Sequence, residues 1–193
     1  RETAEIGLRA AMTGHMVFST LHTINAIATV NRLVDMGAAG YMVAAALHGV
    51  VAQRLARRVC ENCTHPVEPS PNEAAWLAST RSSLDLERVR FMQGTGCTYC
   101  DLTGARGRVG VYEMLEIDRP LADAIRRNAL HEFSTAARGT AGFVPLAQQA
   151  IDLACRGVIS LAEAMAVSSG IEDRPTSTPD TVLDESAVVE LLE

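Results

Sequence analysis

The first dozen positions place Ala4, Ile6, Leu8 and Ala11 near helical spacing, with Glu2 and Glu5 where acids favour the positive end of a helix. This predicts a short helix over 1–12 that stops at Gly14. Residues 15–22, His-Met-Val-Phe-Ser-Thr-Leu-His, form an apolar run between Thr13-Gly14 and Thr23, the pattern of a buried parallel strand. Asn25 suits the N-cap of a helix running to Met36, with Gly37 as its stop. Over 41–58, Met42, Ala45, Ala46, Val50 and Leu55 recur near helical spacing, so the longest helix is expected there, with Arg54, Arg57 and Arg58 in its last turn. Residues 103–117 pass from a glycine-rich turn into a strand. From Pro120 the pattern is helical over 121–128, 131–138, 145–156 and 160–168, broken at Gly139, Gly142 and Gly157, which predicts a small helical subdomain.

Beyond Gly170 the chain is rich in Pro, Thr, Ser and Asp, and a disordered acidic tail is expected over 171–193. Its last ten residues, with Val188, Leu191 and Leu192, suit a turn or two of amphipathic helix on a partner. The tail changes the reading of charge. The chain carries a net −6, but 171–193 holds seven acids and one arginine, while 1–170 holds sixteen of each sign. The body is neutral, which gives no electrostatic reason to expect nucleic acid. No apolar run approaches the roughly 18 residues that span a bilayer. All 17 basic residues are arginine. A phosphate-binding P-loop needs its lysine, so any nucleotide chemistry borrows that loop from another segment or subunit. The chain starts at Arg1, in mid-pattern, and reads as a piece of something longer.

Four of five cysteines lie in Cys60-Glu-Asn-Cys63 and Cys97-Thr-Tyr-Cys100, two Cys-x-x-Cys knuckles 33 residues apart. Each knuckle offers two thiolates from one tight turn, and two complete a closed tetrahedron around Zn2+. The loop between them is rich in Pro, Ser and Thr and holds the lone tryptophan, so metal binding is expected to supply much of its ordering. The rival readings are a thioredoxin-like redox pair and a pair of disulfides. The first expects one Cys-x-x-Cys beside a βαβ unit and the second a secreted chain with a signal peptide, and neither context is present. Cys155, in an expected helix, reads as buried.

Glu2, His15 and His22 put titratable groups at the ends of an otherwise apolar stretch, where α/β sheets bind ligands. Against this stands the plainer reading of edge histidines satisfied by backbone carbonyls. Glu2-Thr-Ala, Ala10-Ala-Met-Thr-Gly-His15 and Ser19-Thr-Leu-His-Thr23 resemble the end of the Walker B motif and the His box of the type II/type IV secretion ATPase superfamily. Arg32-Leu-Val-Asp-Met-Gly37, Ala52-Gln-Arg-Leu-Ala-Arg-Arg58, both knuckles and the stretch from Thr103 to Glu113 resemble its type II secretion and type IV pilus assembly branch. The chain departs from that pattern at Ile24-Asn25, His48 and Gln149-Ala150.

The resemblance implies an α/β fold: the C-terminal portion of a RecA-like P-loop ATPase domain, with a tetracysteine zinc module and a helical C-terminal subdomain. The divisions expected are 1–59 for the end of the ATPase core, 60–100 for the zinc module, 101–118 for a return strand, 119–170 for the helices and 171–193 for the tail. It implies a hexameric cytoplasmic motor, peripheral at the inner membrane, that hydrolyses ATP with Mg2+ and meets platform and assembly proteins of a secretion or pilus machine. By position, Glu2 matches the final Walker B acid, His22 the histidine at the γ-phosphate, and His15 the first His-box histidine. Arg54, Arg57, Arg106 and Arg108 are candidates either to balance the anionic metal site or to contact phosphate or a neighbouring subunit. The rivals from other classes are a non-catalytic zinc-knuckle interaction module and a nucleic-acid-binding zinc ribbon. The neutral body and 4% aromatic content disfavour the ribbon.

Overall fold

The computed structural model describes residues 2–169, so the expected tail lies outside the described residues. Its spine is an antiparallel pair, β1 (Gly49–Val59) and β4 (Ala105–Glu116). The pairing runs from Gly49 opposite Glu116 to Arg57 opposite Arg108, and its register shifts between Arg57 and Val59 as the chain turns toward Cys60. Strand geometry sends alternate side chains to opposite faces. Val50, Ala56, Val111, Glu113 and Leu115 are buried on one face, while Val51, Leu55, Tyr112 and Met114 are exposed on the other.

The helix expected over 41–58 is therefore two elements, α3 (Gly40–Ala46) and β1. The alanine-rich composition suits a helix, but from Val50 onward burial follows a period of two. Pairing with β4 outweighs local propensity. Arg54, Arg57 and Arg58 consequently do not share a helix face. Arg54 is half-buried on the inner side, and Arg57 projects outward opposite Arg108.

The strand expected over 15–22 is absent. That segment follows α1 (Glu2–Met12) in irregular, exposed conformation, with Phe18 88% exposed. A parallel strand is stabilised by neighbours on both edges and layers on both faces, and no strand among the described residues pairs with it. α2 (Ala26–Asp35) begins where expected, with the Asn25 side chain accepting the Ala28 amide at 2.8 Å.

The loop between the knuckles is better built than its composition suggested. β2 (Thr64–Val67) pairs with β3 (Phe91–Gly94). Between them, α4 (Pro71–Thr80) opens with a capping box: Ser70 N–H and Oγ–H both donate to Glu73, and the Glu73 amide donates to Ser70 Oγ. The C-terminal helices, α5 (Arg119–Arg126), α6 (Leu130–Gly139), α7 (Leu146–Cys155) and α8 (Leu161–Ser168), fall close to their expected places.

Two apolar clusters share the inner face of the β1–β4 pair. One gathers Leu8, Val30, Val43, Val50, Leu115, Ile125 and Phe133 from the first three helices, the strands, α5 and α6. The other gathers Ala56, Leu77, Phe91, Val111, Ile151 and Leu161, so the knuckle loop packs on α7 and α8. Along β4, Val111 belongs to the second cluster and Leu115 to the first.

Candidate functional site

Cys60 ends β1, and Cys97 and Cys100 flank a short 3-10 turn just before β4, so the strand pairing carries the two knuckles to one place. The four sulfurs lie within 4.8 Å of one another. Cys60 and Cys97 are 4.0 Å apart, Cys63 and Cys100 3.8 Å, and Cys97 and Cys100 3.7 Å. A tetrahedral ion with Zn–S bonds of about 2.3 Å requires sulfur separations of about 3.8 Å. The donor set fits a zinc ion, whereas disulfide sulfurs stand about 2.05 Å apart and all five cysteines are free.

Backbone amides complete the cage. Gly96 N–H donates to Cys63 Sγ, and Cys97 N–H and Gly104 N–H both donate to Cys100 Sγ, each at 3.3 Å. Desolvation raises both thiol pKa values. For Cys63 it combines with the neighbouring thiols to push the value to about 11, while at Cys100 the two amides and the neighbouring Cys97 and Cys63 thiols together outweigh it and bring the thiol down to about 6. Four crowded sulfurs cannot all ionise without a cation among them, which is the electrostatic demand that a metal meets. Cys60 N–H donates to Gly104 O at 3.0 Å, and a Cβ added to Gly94 would lie 2.1 Å from that same oxygen, so only glycine fits there. Asp101 and Leu102 both adopt left-handed backbone, with φ of 52° and 61°.

The arginines divide. Arg106 stacks over the Tyr99 ring at 3.8 Å and donates to the Tyr99 carbonyl, which braces the second knuckle. Arg57 makes a two-pronged pair with Glu163 of α8, at 3.0 and 2.8 Å, which holds its guanidinium pKa above the ordinary value. Arg108 is exposed opposite Arg57. Arg54 reaches the chain beside His22, donating to the carbonyls of Thr23 at 3.4 Å and Ile24 at 3.2 Å.

Glu2, His15 and His22 are exposed. His15 Nδ1 lies 3.0 Å from Thr13 Oγ1, and among the described residues no hydrogen bond or ion pair joins these three residues to one another. Cys155 is half-buried at the edge of the second cluster, and desolvation raises its pKa. No helix among the described residues is long and apolar enough to cross a membrane.

Residues 1–166 match the profile of the family described as Type II/IV secretion system protein. The chain belongs to that family. It is 39% identical over 170 residues to the type IV pilus assembly ATPase PilB of Acinetobacter baylyi, covering 87% of this chain and 29% of that protein. It is 35% identical over 167 residues to the type II secretion system ATPase E of Vibrio cholerae, covering 86% and 32%. The fold is similar to that of the pilus retraction motor PilT solved with bound ADP, with a TM-score of 0.54, 26% identity, and coverage of 87% and 36%. The chain thus spans about a third of the length of these relatives.

A residue that the sequence reading named only as the end of a motif proves central to this family member's architecture. Glu113 is 4% exposed, the one buried charged side chain among the described residues. Its Oε1 accepts the Ala26 amide at 2.7 Å and its Oε2 the Leu146 amide at 2.9 Å. The signal that could have found it is an acid in the inward phase of a strand otherwise filled there by Val111 and Leu115.

Proposed function

We propose that this chain is the C-terminal part of a RecA-like motor domain in a hexameric cytoplasmic ATPase that powers type II protein secretion or type IV pilus assembly at the inner membrane. Residues 1–59 would complete the ATPase core, 60–100 form the zinc module, 101–118 return to the core, and 119–170 form the helical subdomain. The observation that carries the reading is 35–39% identity to secretion and pilus assembly ATPases over nearly all of the family-matched region. Partners would be further copies of the parent chain and the platform and assembly proteins of the machine.

In this reading Glu2 closes the Walker B stretch and His22 acts at the γ-phosphate, with His15 beside it in the same box. ATP and its Mg2+ would be held by a phosphate loop outside this lysine-free chain. The reaction is in-line attack of water on the γ-phosphorus, in which the protein supplies position and charge rather than covalent chemistry. Cys60, Cys63, Cys97 and Cys100 would hold Zn2+ with no coordination position left for water, so the ion fastens the fold and activates nothing.

The test is phosphate release by the full-length parent. Changing His22 to Ala should lower kcat more than nucleotide affinity, because a γ-phosphate contact acts chiefly in the transition state. Unchanged kcat would remove His22 from the mechanism. The 193-residue chain alone should release no phosphate above background, and turnover by it that His22→Ala abolishes would refute the borrowed loop.

A further inference from the structure

We infer that Arg54 and Glu113 are positioning residues: together they clamp the backbone that follows His22 and tie it to the helical subdomain. Both lie on the inner face of the β1–β4 pair, one step apart in register, since Arg54 stands opposite Val111 and Ala52 opposite Glu113. Arg54 holds the carbonyls of Thr23 and Ile24, and Glu113 holds the amide of Ala26, so two residues just before α2 and the first residue of α2 are gripped from the same strand pair. Asn25 and the Thr23–Thr29 hydroxyl contact at 2.6 Å fix the same turn from the helix side.

Glu113 does more than cap one helix. Its second oxygen takes the Leu146 amide at the start of α7, so one buried carboxylate holds the positive ends of α2 and α7. It sits between Val111 in the second apolar cluster and Leu115 in the first. A shift of α2 relative to α7 would leave one oxygen of a buried carboxylate unpaired, which is strongly unfavourable. The His22 segment and α7 therefore move together or at a cost, and a change at His22 on hydrolysis has a direct route to the helical subdomain.

The inference rests on the reading of His22 as the γ-phosphate residue. In the full-length parent, His22→Ala, Glu113→Gln, Arg54→Met and each double variant with His22→Ala are compared for kcat, KM for ATP and thermal midpoint. Glu113→Gln replaces one acceptor with a donor that faces an N–H, and Arg54→Met removes the carbonyl contacts while keeping the stem. Each single change is expected to lower kcat about ten-fold well below the midpoint, with KM changed less than about two-fold. Each double variant is expected to be no slower than His22→Ala alone, because a positioning residue has nothing left to position.

A purely structural role would lower the midpoint and leave kcat intact, or would multiply with His22→Ala, and either result overturns the inference. If Glu113→Gln does not fold, Arg54→Met decides alone. Unchanged kcat in His22→Ala itself would sink the underlying reading, and this inference with it. A slow His22→Ala enzyme beside unaffected clamp variants would sink only the clamp.

Discussion

At the scale of single residues, the proposed metal site has the clearest consequences. Serine at any of Cys60, Cys63, Cys97 or Cys100 removes one corner of a tetrahedron whose edges are already set near 3.8 Å. Elemental analysis should find one zinc per chain in the wild type and little in each variant, with Cys155→Ser as the unaffected control. Zinc retained by all four single variants would refute the site. Leu102 carries a smaller prediction. A leucine at φ 61° costs roughly 1–2 kcal/mol relative to glycine, and this side chain is exposed, so it packs against little. Leu102→Gly should therefore stabilise the zinc-loaded protein by about 1 kcal/mol, net of the added chain entropy, in a denaturant titration. The clustering of the four cysteines was legible because each Cys-x-x-Cys turn presents two thiols together. Glu113 was not, since one acid in a strand reads as solvent-facing until the register places it between Val111 and Leu115.

Among the elements, α4 shows how the knuckle loop is held. Its capping box fixes where the helix starts, and Leu77, 1% exposed, inserts into the cluster with Ile151 and Leu161. Leu77→Ala should cost about 2–5 kcal/mol, read as a shift in the denaturation midpoint with zinc still bound. A loss below about 1 kcal/mol would mean that the loop is held by its metal and not by its packing. Helices with local signals were readable from the chain. Asn25 caps α2 and Asp118 caps α5 through their side chains, while Gly157 in left-handed conformation ends α7. β1 was misread because alanine and arginine favour helix locally, and only the partner strand, about 50 residues away, decides otherwise. Residues 15–22 have the composition of a central strand, but composition cannot supply the neighbouring strands on which pairing depends.

Across the whole molecule, the two apolar clusters divide the labour, and the metal should act on them unequally. The second cluster contains Leu77 and Phe91 from the knuckle loop, whose far end is bound to Cys63: Thr95 N–H donates to Cys63 O at 3.1 Å, and Gly96 N–H to Cys63 Sγ at 3.3 Å. The first cluster draws its residues from α1 to α3, α5, α6 and the far ends of β1 and β4, none of them within the loop. Removing zinc with a chelator frees both loop ends, so the opening free energy of the second cluster should fall while that of the first stays close to its starting value. Amide hydrogen exchange reads this directly: protection in α4, β3 and α7 should drop by about ten-fold or more, and protection in α2 and α6 should change little. α7 is the decisive reporter, because it is outside the loop yet packs on it and is joined to α2 through Glu113. Uniform loss of protection across both clusters would mean that the metal holds one cooperative unit, and unchanged exchange in α7 would mean that the knuckle loop hangs from the fold without supporting it.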